Sequence, residues 1–499
     1  MKIKHKWIPI LFLIFVTLWL RLVNLGYSDF QGDEIKAMWR PAPNQSLLAY
    51  LYTQRKGPVQ FLVSYLVKII DPSYSSEFLL RLPFTLVGIL SIYFFYRLVN
   101  LHYGKKVALY ATFLFSTNGF FIGLMRIAQY QPFVILFSIL ALYAFSLALQ
   151  QERWRFKGIY LGVLFWVVSL FSHYDGIFFS PFAFYLLYHW YNQNSNLPTK
   201  ARLKHLVIPF ATSVMVLALY FVPFILSFPD SNLDYWMVRM KGSSLPGSEQ
   251  SSSILIFNLY NPILAVYVYP ILGLLSLARI KKVIPLVIWF AFPWLILEIA
   301  IFDPGTHIYT YLIPAIIMSA LGLQILEEIL AKLLGNLWGA RLNLLWLGML
   351  FGSLAGISHL IFVDHTPEYP FEKRRILLWT IGGPLDRYKV WSFGFPYYRR
   401  WEDIGTYITS MTGIRYYYSN EQSAIASYYV PYDNSVKFAG AYIYIHNPQS
   451  FKQREDKVKA IYWRSRYSPV KAFEYNGRVV AEVYDMPPGS LEDIKQMDY

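Results

Sequence analysis

Apolar runs of about 18 residues or more recur along the first three quarters of the chain, and each is long enough to cross a bilayer. Hydropathy places about eleven such helices, near residues 7–25, 79–98, 107–125, 131–149, 157–172, 177–191, 206–228, 254–278, 283–302, 309–331 and 343–363. The apolar stretch 59–70 is too short to span and is expected to be interfacial or re-entrant. Hydrophobic residues make up 56% and aromatics 19%, which suits spans flanked by Trp and Tyr belts. Cysteine is absent, so disulfides and thiolate metal sites are excluded. Lys2, Lys4 and Lys6 ahead of the first run imitate a secretory signal. No small-x-small cleavage site follows Leu20, and the segment reads as an uncleaved signal anchor.

A net charge of +15 would ordinarily point towards nucleic acid. Its placement argues against that partner. With the N-terminus cytoplasmic, Arg97, Lys105 and Lys106, Arg153, Arg155 and Lys157, Lys200, Arg202 and Lys204, and Arg279, Lys281 and Lys282 all fall in inner loops. The outer loops hold fewer cations. The surplus is therefore topology signal facing membrane lipids, and it implies a multi-pass cell-membrane protein. An odd number of spans leaves residues 366–499 outside, as a soluble extracytoplasmic α/β domain following the transmembrane domain 1–365. Helical stretches are expected at 399–411 and 421–429. Strands are expected at 414–418, 441–445, 460–464, 471–474 and 479–484, with Asn476-Gly477 as a hairpin turn. No phosphate loop or nucleophile elbow occurs in this tail, and no chemistry is assigned to it.

Polar side chains beside membrane helices are costly unless they face protein or water, so they mark candidate sites. On this topology they gather at the outer face: Arg21, Asp33 and Glu34, Arg55 and Lys56, Arg126 and Gln131, His173 and Asp175, Glu298 and Asp303, His307 and Tyr311. Asp33-Glu34 lies in the first outer loop, 26–78, directly after a membrane helix. Desolvation there is expected to raise carboxylate basicity and make a general base. Arg55 and Lys56 suit a phosphate, Arg through a planar fork of donors and Lys as a point charge. Arg126 faces the same side. His173, Asp175 and His307 support a substrate, and Glu298 pairs with Arg21 or another cation. Two histidines and several acids make a divalent cation the one candidate cofactor, although no compact metal-ligand spacing occurs.

The order of short motifs resembles that of polyprenyl-phosphate-sugar-dependent glycosyltransferases of the C superfamily, related to protein O-mannosyltransferases and lipid A aminoarabinose transferase. Leu20-Arg21-Leu22-x-Asn24-Leu25-Gly26 and Gly32-Asp33-Glu34 resemble the family opening. Arg55-Lys56-Gly57-Pro58 is similar to its basic-Pro element, with Gly57 replacing the first proline. Arg81-Leu82-Pro83, Ser172-His173-Tyr174 and Thr310-Tyr311-Leu312-Ile313-Pro314 resemble later elements. The resemblance implies an outward-facing cavity, a lipid-linked sugar as donor, and inverting transfer. It implies Asp33 as the acid of the Asp-Glu motif, Lys56 as the donor-phosphate lysine and Tyr311 as a donor-phosphate contact. His307 stands where the aminoarabinose transferase pattern has lysine.

These residues suit displacement at an anomeric carbon. Asp33 takes a proton from an acceptor hydroxyl of a protein, lipid or glycan, while Glu34 orients it or positions the loop. The leaving polyprenyl phosphate is weakly basic, so cations (Lys56, Arg55 and Arg126) replace the general acid of a glycosidase. A transporter or flippase for a lipid-linked sugar is the alternative. Its usual inverted repeats are not seen, and the polar residues collect at one face rather than at the midplane.

Overall fold

The computed structural model describes residues 7–227, 253–302, 304–334, 336–376, 378–382, 393–435, 438–449 and 461–486, with a few positions between 234 and 241. Asp303 and Ala460 lie outside the described residues. The N-terminal part is helical: α1 (Ile8–Leu22), α2 (Gly32–Ile35), α3 (Leu47–Tyr52), α4 (Pro58–Ile70), α5 (Glu77–Thr117), α6 (Gly119–Leu124), α7 (Gln131–Gln150), α8 (Lys157–Ser172), α9 (Ser180–Gln193) and α10 (Thr199–Leu226). It continues through α11 (Ser253–Tyr260), α12 (Ala265–Ser276), α13 (Ile280–Leu295), α14 (Tyr309–Leu334) and α15 (Asn336–Phe362).

Among the described residues, six helical stretches are long and apolar enough to cross a membrane by length and composition. Two of the six each contain two of the spans expected from hydropathy, whole or in part. Glu77–Thr117 runs through both 79–98 and most of 107–125, turning at Gly104, whose φ of 83° breaks the helical path. Ala265–Ala300 joins the second half of 254–278 to most of 283–302 across a 3-10 turn at Leu277–Arg279, while the first part of 254–278 forms the separate helix α11. Helices Ile8–Leu22, Pro58–Ile70 and Lys157–Ser172 are apolar but shorter. Helix α4 buries Gln60, Phe61, Ser64 and Val67 on one face and leaves Leu62, Leu66, Ile69 and Ile70 bare on the other.

After α15 come a small hairpin, β1 (Arg374–Ile376) with β2 (Trp379–Ile381), then helices α16 (Trp401–Ser410) and α17 (Ser423–Tyr429) among strands β3 (Tyr416–Ser419), β4 (Asp433–Asn434), β5 (Ala441–Ile445), β6 (Lys471–Tyr475) and β7 (Arg478–Asp485). The larger sheet has the order β4-β3-β5-β7-β6. β3 runs parallel to β4 and β5, and the β5–β7 and β6–β7 pairs are antiparallel. Asn476 and Gly477 both hold positive φ, 50° and 74°, as a two-residue hairpin turn demands. One expectation fails: Ile461–Arg464, read as strand, is helical. Its Tyr-Trp pair has strand-like composition, but Trp463 is buried beside Tyr442 and Tyr467, on the helix. Burial of that ring overrides local propensity.

The sheet shares a core with the loop 26–78. Phe30, Ile35, Met38, Trp39 and Phe61 pack in one cluster with Trp401, Ile404, Ile425 and Ile443. Polar contacts lock the same seam. Asp29 N–H donates to Tyr397 O at 2.8 Å, Arg399 N–H to Asp29 Oδ2 at 2.6 Å, and Phe30 N–H to the Tyr429 hydroxyl at 3.0 Å. Gly32 lies close under Gln422, whose Oε1 is 2.1 Å from where a Cβ would sit, so a side chain there would have to push the end of Gln422 aside. The loop is thus clamped from above by the C-terminal sheet and its helices.

Candidate active site

Asp33 is presented by a single tight turn. Gln31 caps α2, its Oε1 accepting from Asp33 N–H at 2.6 Å, and Glu34 Oε2 accepts from Gln31 N–H at 2.9 Å. This reciprocal box satisfies donors that a four-residue helix would otherwise expose. Glu34 is itself wholly buried. Arg81 clasps it with two bonds, Nε to Oε1 and Nη2 to Oε2, both 2.8 Å, and Ala128 N–H donates to Oε1 at 2.9 Å. The other Arg81 donors reach the carbonyls of Leu25, Ser28 and Asp29, so all five are engaged. The expectation that Glu34 orients the acceptor hydroxyl is corrected accordingly, and its alternative, positioning the loop, is the role these contacts fit. Its oxygens are committed to protein donors, and it anchors the turn that carries Asp33.

Asp33 keeps its carboxylate at the surface of this anchor, 17% exposed, with Lys36 Nζ 3.5 Å from Oδ1. Burial works to raise its pKa, but the Lys56 and Lys36 charges, with a hydrogen bond from Gln129, hold the carboxyl below the usual range. Desolvation was expected to win and make Asp33 more basic; the two ammonium groups reverse the sign.

Lys56 is the counterpart. Its Nζ is buried and makes no hydrogen bond among the described residues, lying 5.3 Å from the ring centre of Tyr130. Burial and the neighbouring cations Lys36 and Arg55 lower its pKa, and Asp33 partly restores it. Gly57 lets this turn close, because the Phe171 carbonyl oxygen lies 1.9 Å from where a Cβ would stand. Close by in the chain, the side-chain amide of Gln60 finds no hydrogen-bond partner at either end among the described residues, nor does Gln131 Oε1. Buried polar atoms left open on residues 56–60 and 129–131 mark a place prepared for a polar ligand.

The Tyr130 ring continues the site. It stacks on His173 at 3.9 Å, and His173 lies 5.3 Å from His307. Both imidazoles meet Asp175: His173 Nδ1 is 3.0 Å from Oδ1, and His307 Nδ1 is 2.8 and 2.7 Å from Oδ1 and Oδ2. The Tyr309 hydroxyl donates to Oδ2 at 2.9 Å. Burial pushes the His173 imidazolium down to about 4, with Asp175 opposing. Burial would raise Asp175, but the two imidazoles outweigh it and hold the carboxyl well below its usual range.

Three expectations are corrected by partners distant in sequence. Arg126 commits its two terminal nitrogens to protein, and only its buried Nε has no hydrogen-bond partner among the described residues. It caps the C-terminal end of α1, donating to the carbonyls of Leu20 (3.0 Å), Val23 (2.9 Å) and Asn24 (3.1 Å). Glu298 does not pair with Arg21; it accepts from the Tyr311 hydroxyl at 2.7 Å, which commits that hydroxyl to protein rather than to a phosphate. Arg21 is wholly buried and donates to Ser116 O at 3.0 Å. Arg55 stands next to Lys56, half-buried. Arg126→Ala should therefore act through stability. Losing charged hydrogen bonds worth about 1.5–3 kcal/mol each should lower the melting temperature by several degrees while leaving any ligand affinity at the Lys56 site unchanged. Thermal unfolding and ligand titration of the same sample check both halves.

Gln129, Tyr130 and Tyr309 were not singled out from the sequence. The one signal was a polar Gln-Tyr-Gln run interrupting apolar segments at residues 129–131.

Residues 58–226 match the family model described as dolichyl-phosphate-mannose-protein mannosyltransferase. The match includes Arg81, Arg126, His173 and Asp175 and begins just after Lys56. No curated protein matches the sequence. The fold is similar to the crystal structure of ArnT from Cupriavidus metallidurans bound to undecaprenyl phosphate, at 12% identity and TM-score 0.53, covering 96% of this chain and 98% of that one. The apo state of the same ArnT is similar at 13% identity and TM-score 0.51, covering 95% and 96%. Over nearly its whole length the chain is thus similar in fold to ArnT, and over residues 58–226 it is similar in sequence to the dolichyl-phosphate-mannose-protein mannosyltransferase family model.

Proposed function

We propose that this protein transfers a sugar, with inversion, from a polyprenyl-phosphate donor to a hydroxyl acceptor at the outer face of the cell membrane. The observation that carries the reading is the buried, unbonded ammonium of Lys56 beside the partly open carboxylate of Asp33. A buried cation without a hydrogen-bonded anion is costly, and a phosphate would supply the missing acceptors. The fold shared with ArnT, whose structure holds undecaprenyl phosphate, supports a lipid-linked phosphate as that anion.

In this mechanism the donor phosphate docks on Lys56, with the open amide of Gln60 as a further donor. Asp33 accepts the proton of the acceptor hydroxyl as its oxygen attacks the anomeric carbon. The bond to the phosphate oxygen breaks on the opposite side, and Lys56 stabilises the charge that develops there. Donor binding also prepares the base. A phosphate on Lys56 offsets the positive charge that depresses Asp33, so the carboxylate gains proton affinity when the donor is in place. Glu34 and Arg81 hold this geometry without touching substrate. The C-terminal sheet, clamped over the loop that carries Asp33, sits on the acceptor side of the site in this arrangement. The protein, lipid or glycan nature of the acceptor does not alter these roles.

The test is to incubate the purified full-length protein with defined polyprenyl-phosphate sugars and follow released polyprenyl phosphate, free sugar and transferred sugar. Donor consumption with inversion is the expected result. Intact donor moved across vesicles would instead favour a transporter. Lys56→Ala should weaken donor binding by about 10–100-fold, the equivalent of one charge-assisted hydrogen bond or two. Unaltered donor affinity in this variant would overturn the placement of the phosphate.

A further inference from the structure

We propose that His173, Asp175 and His307 form a binding site for one divalent transition-metal ion of the zinc type. The ligands are the two Nδ1 atoms and the Asp175 carboxylate. These atoms lie within 4.8 Å of one another, and all three residues are buried. The site goes beyond the transfer reading and stands without it.

The chemistry of the ligand set selects the metal. Two imidazoles and one carboxylate suit zinc and its neighbours, whereas magnesium and calcium prefer oxygen-only shells. Three protein ligands leave a position for water or a substrate oxygen. Support around the ligands is already built: the Tyr309 hydroxyl donates to Asp175 Oδ2, and Tyr130 stacks on the His173 ring and fixes its plane. Such outer partners orient ligands and raise affinity.

The metal-free hydrogen bonding is also self-contradictory. His173 Nδ1 is the acceptor for Asp175 N–H at 3.2 Å, yet it faces Asp175 Oδ1, another acceptor, at 3.0 Å. One ring nitrogen with a single in-plane lone pair cannot accept from the amide and donate to the carboxylate together. A cation shared by Nδ1 and Oδ1 would take up that one lone pair and hold the carboxylate beside it, at the cost of the long contact from the Asp175 amide. The ion would join the turn after α8 to the turn before α14, one aromatic ring away from Lys56.

Untagged full-length protein in detergent, stripped with chelator and reloaded with Zn(II), should retain about one ion per chain after excess metal is removed, and none when offered only Mg(II). Asp175→Asn should reduce retention at least tenfold. Tyr309→Phe keeps every ligand and should weaken affinity by about 10–100-fold, so the site is testable even where a ligand variant misfolds. Co(II) loading of the unaltered protein should give visible d–d absorption that saturates at one equivalent. Failure of the unaltered protein to retain Zn(II) or to develop that absorption would overturn the site. Equal retention by folded Asp175→Asn would do so too, leaving an Asp–His hydrogen-bond relay. None of these readouts uses glycosyl transfer.

Discussion

Asp33→Asn is expected to lower the transfer rate by about 10²–10⁴-fold, the range that a positioned general base contributes. The substitution preserves shape, and the cap on the α2 backbone is unaffected, since Gln31 bonds the Asp33 amide rather than its side chain. Donor affinity should stay level or rise. Asp33 stands in the electrostatic reach of Lys56, and removing its negative charge relieves repulsion towards an incoming phosphate. The combination of lost turnover and retained donor binding is specific to a base: a misfolded variant would lose both. Single-turnover kinetics and donor titration on one preparation measure the two quantities. Turnover near that of the unaltered protein would remove Asp33 from the mechanism.

The second large effect is expected at Arg81, on stability rather than on chemistry. Arg81→Ala leaves the Glu34 carboxylate buried with only two backbone donors, and it strips partners from three loop carbonyls. Breaking one side of a buried ion pair costs about 3–5 kcal/mol, because the remaining charge stays in a medium that solvates it poorly. The variant should purify in low yield and unfold many degrees lower, as measured by size exclusion and thermal melting in detergent. Glu34→Gln is the informative companion. It keeps the volume but turns an acceptor into an amide donor facing the Arg81 fork, so it too should destabilise. A Glu34→Gln protein with full stability and lost turnover would return Glu34 to the catalytic group.

Much of this molecule follows from local pattern. The apolar runs, the amphipathic α4 and the Asn476-Gly477 hairpin depend on residues close in sequence, and they stand where periodicity and turn chemistry put them. Asp33 and Lys56 also stand out in the sequence as candidates, since an acid pair and a basic pair flank one short stretch of loop. The roles of charged residues were less readable. Glu34 and Asp33 are neighbours of the same chemical type, yet one is spent on Arg81 and the other is left at the surface. Arg126 resembles a free cation until the end of α1 is brought against it. Ile461–Arg464 has the composition of a strand, and only the pocket around Trp463 makes it a helix.

The sequence by itself determined the apolar helices, the polar tail and the acid-and-lysine loop, because each is written in contiguous residues whose physics is local. Tertiary structure alone decided which polar groups are consumed and which stay available. Glu34 finds Arg81 across 47 residues, and His307 finds Asp175 across 132. A hydrogen bond or ion pair acts only over a few ångströms, so such partners exist only once the helices have packed. The same packing leaves Lys56 Nζ without a hydrogen-bond partner among the described residues and sets two histidines around one carboxylate.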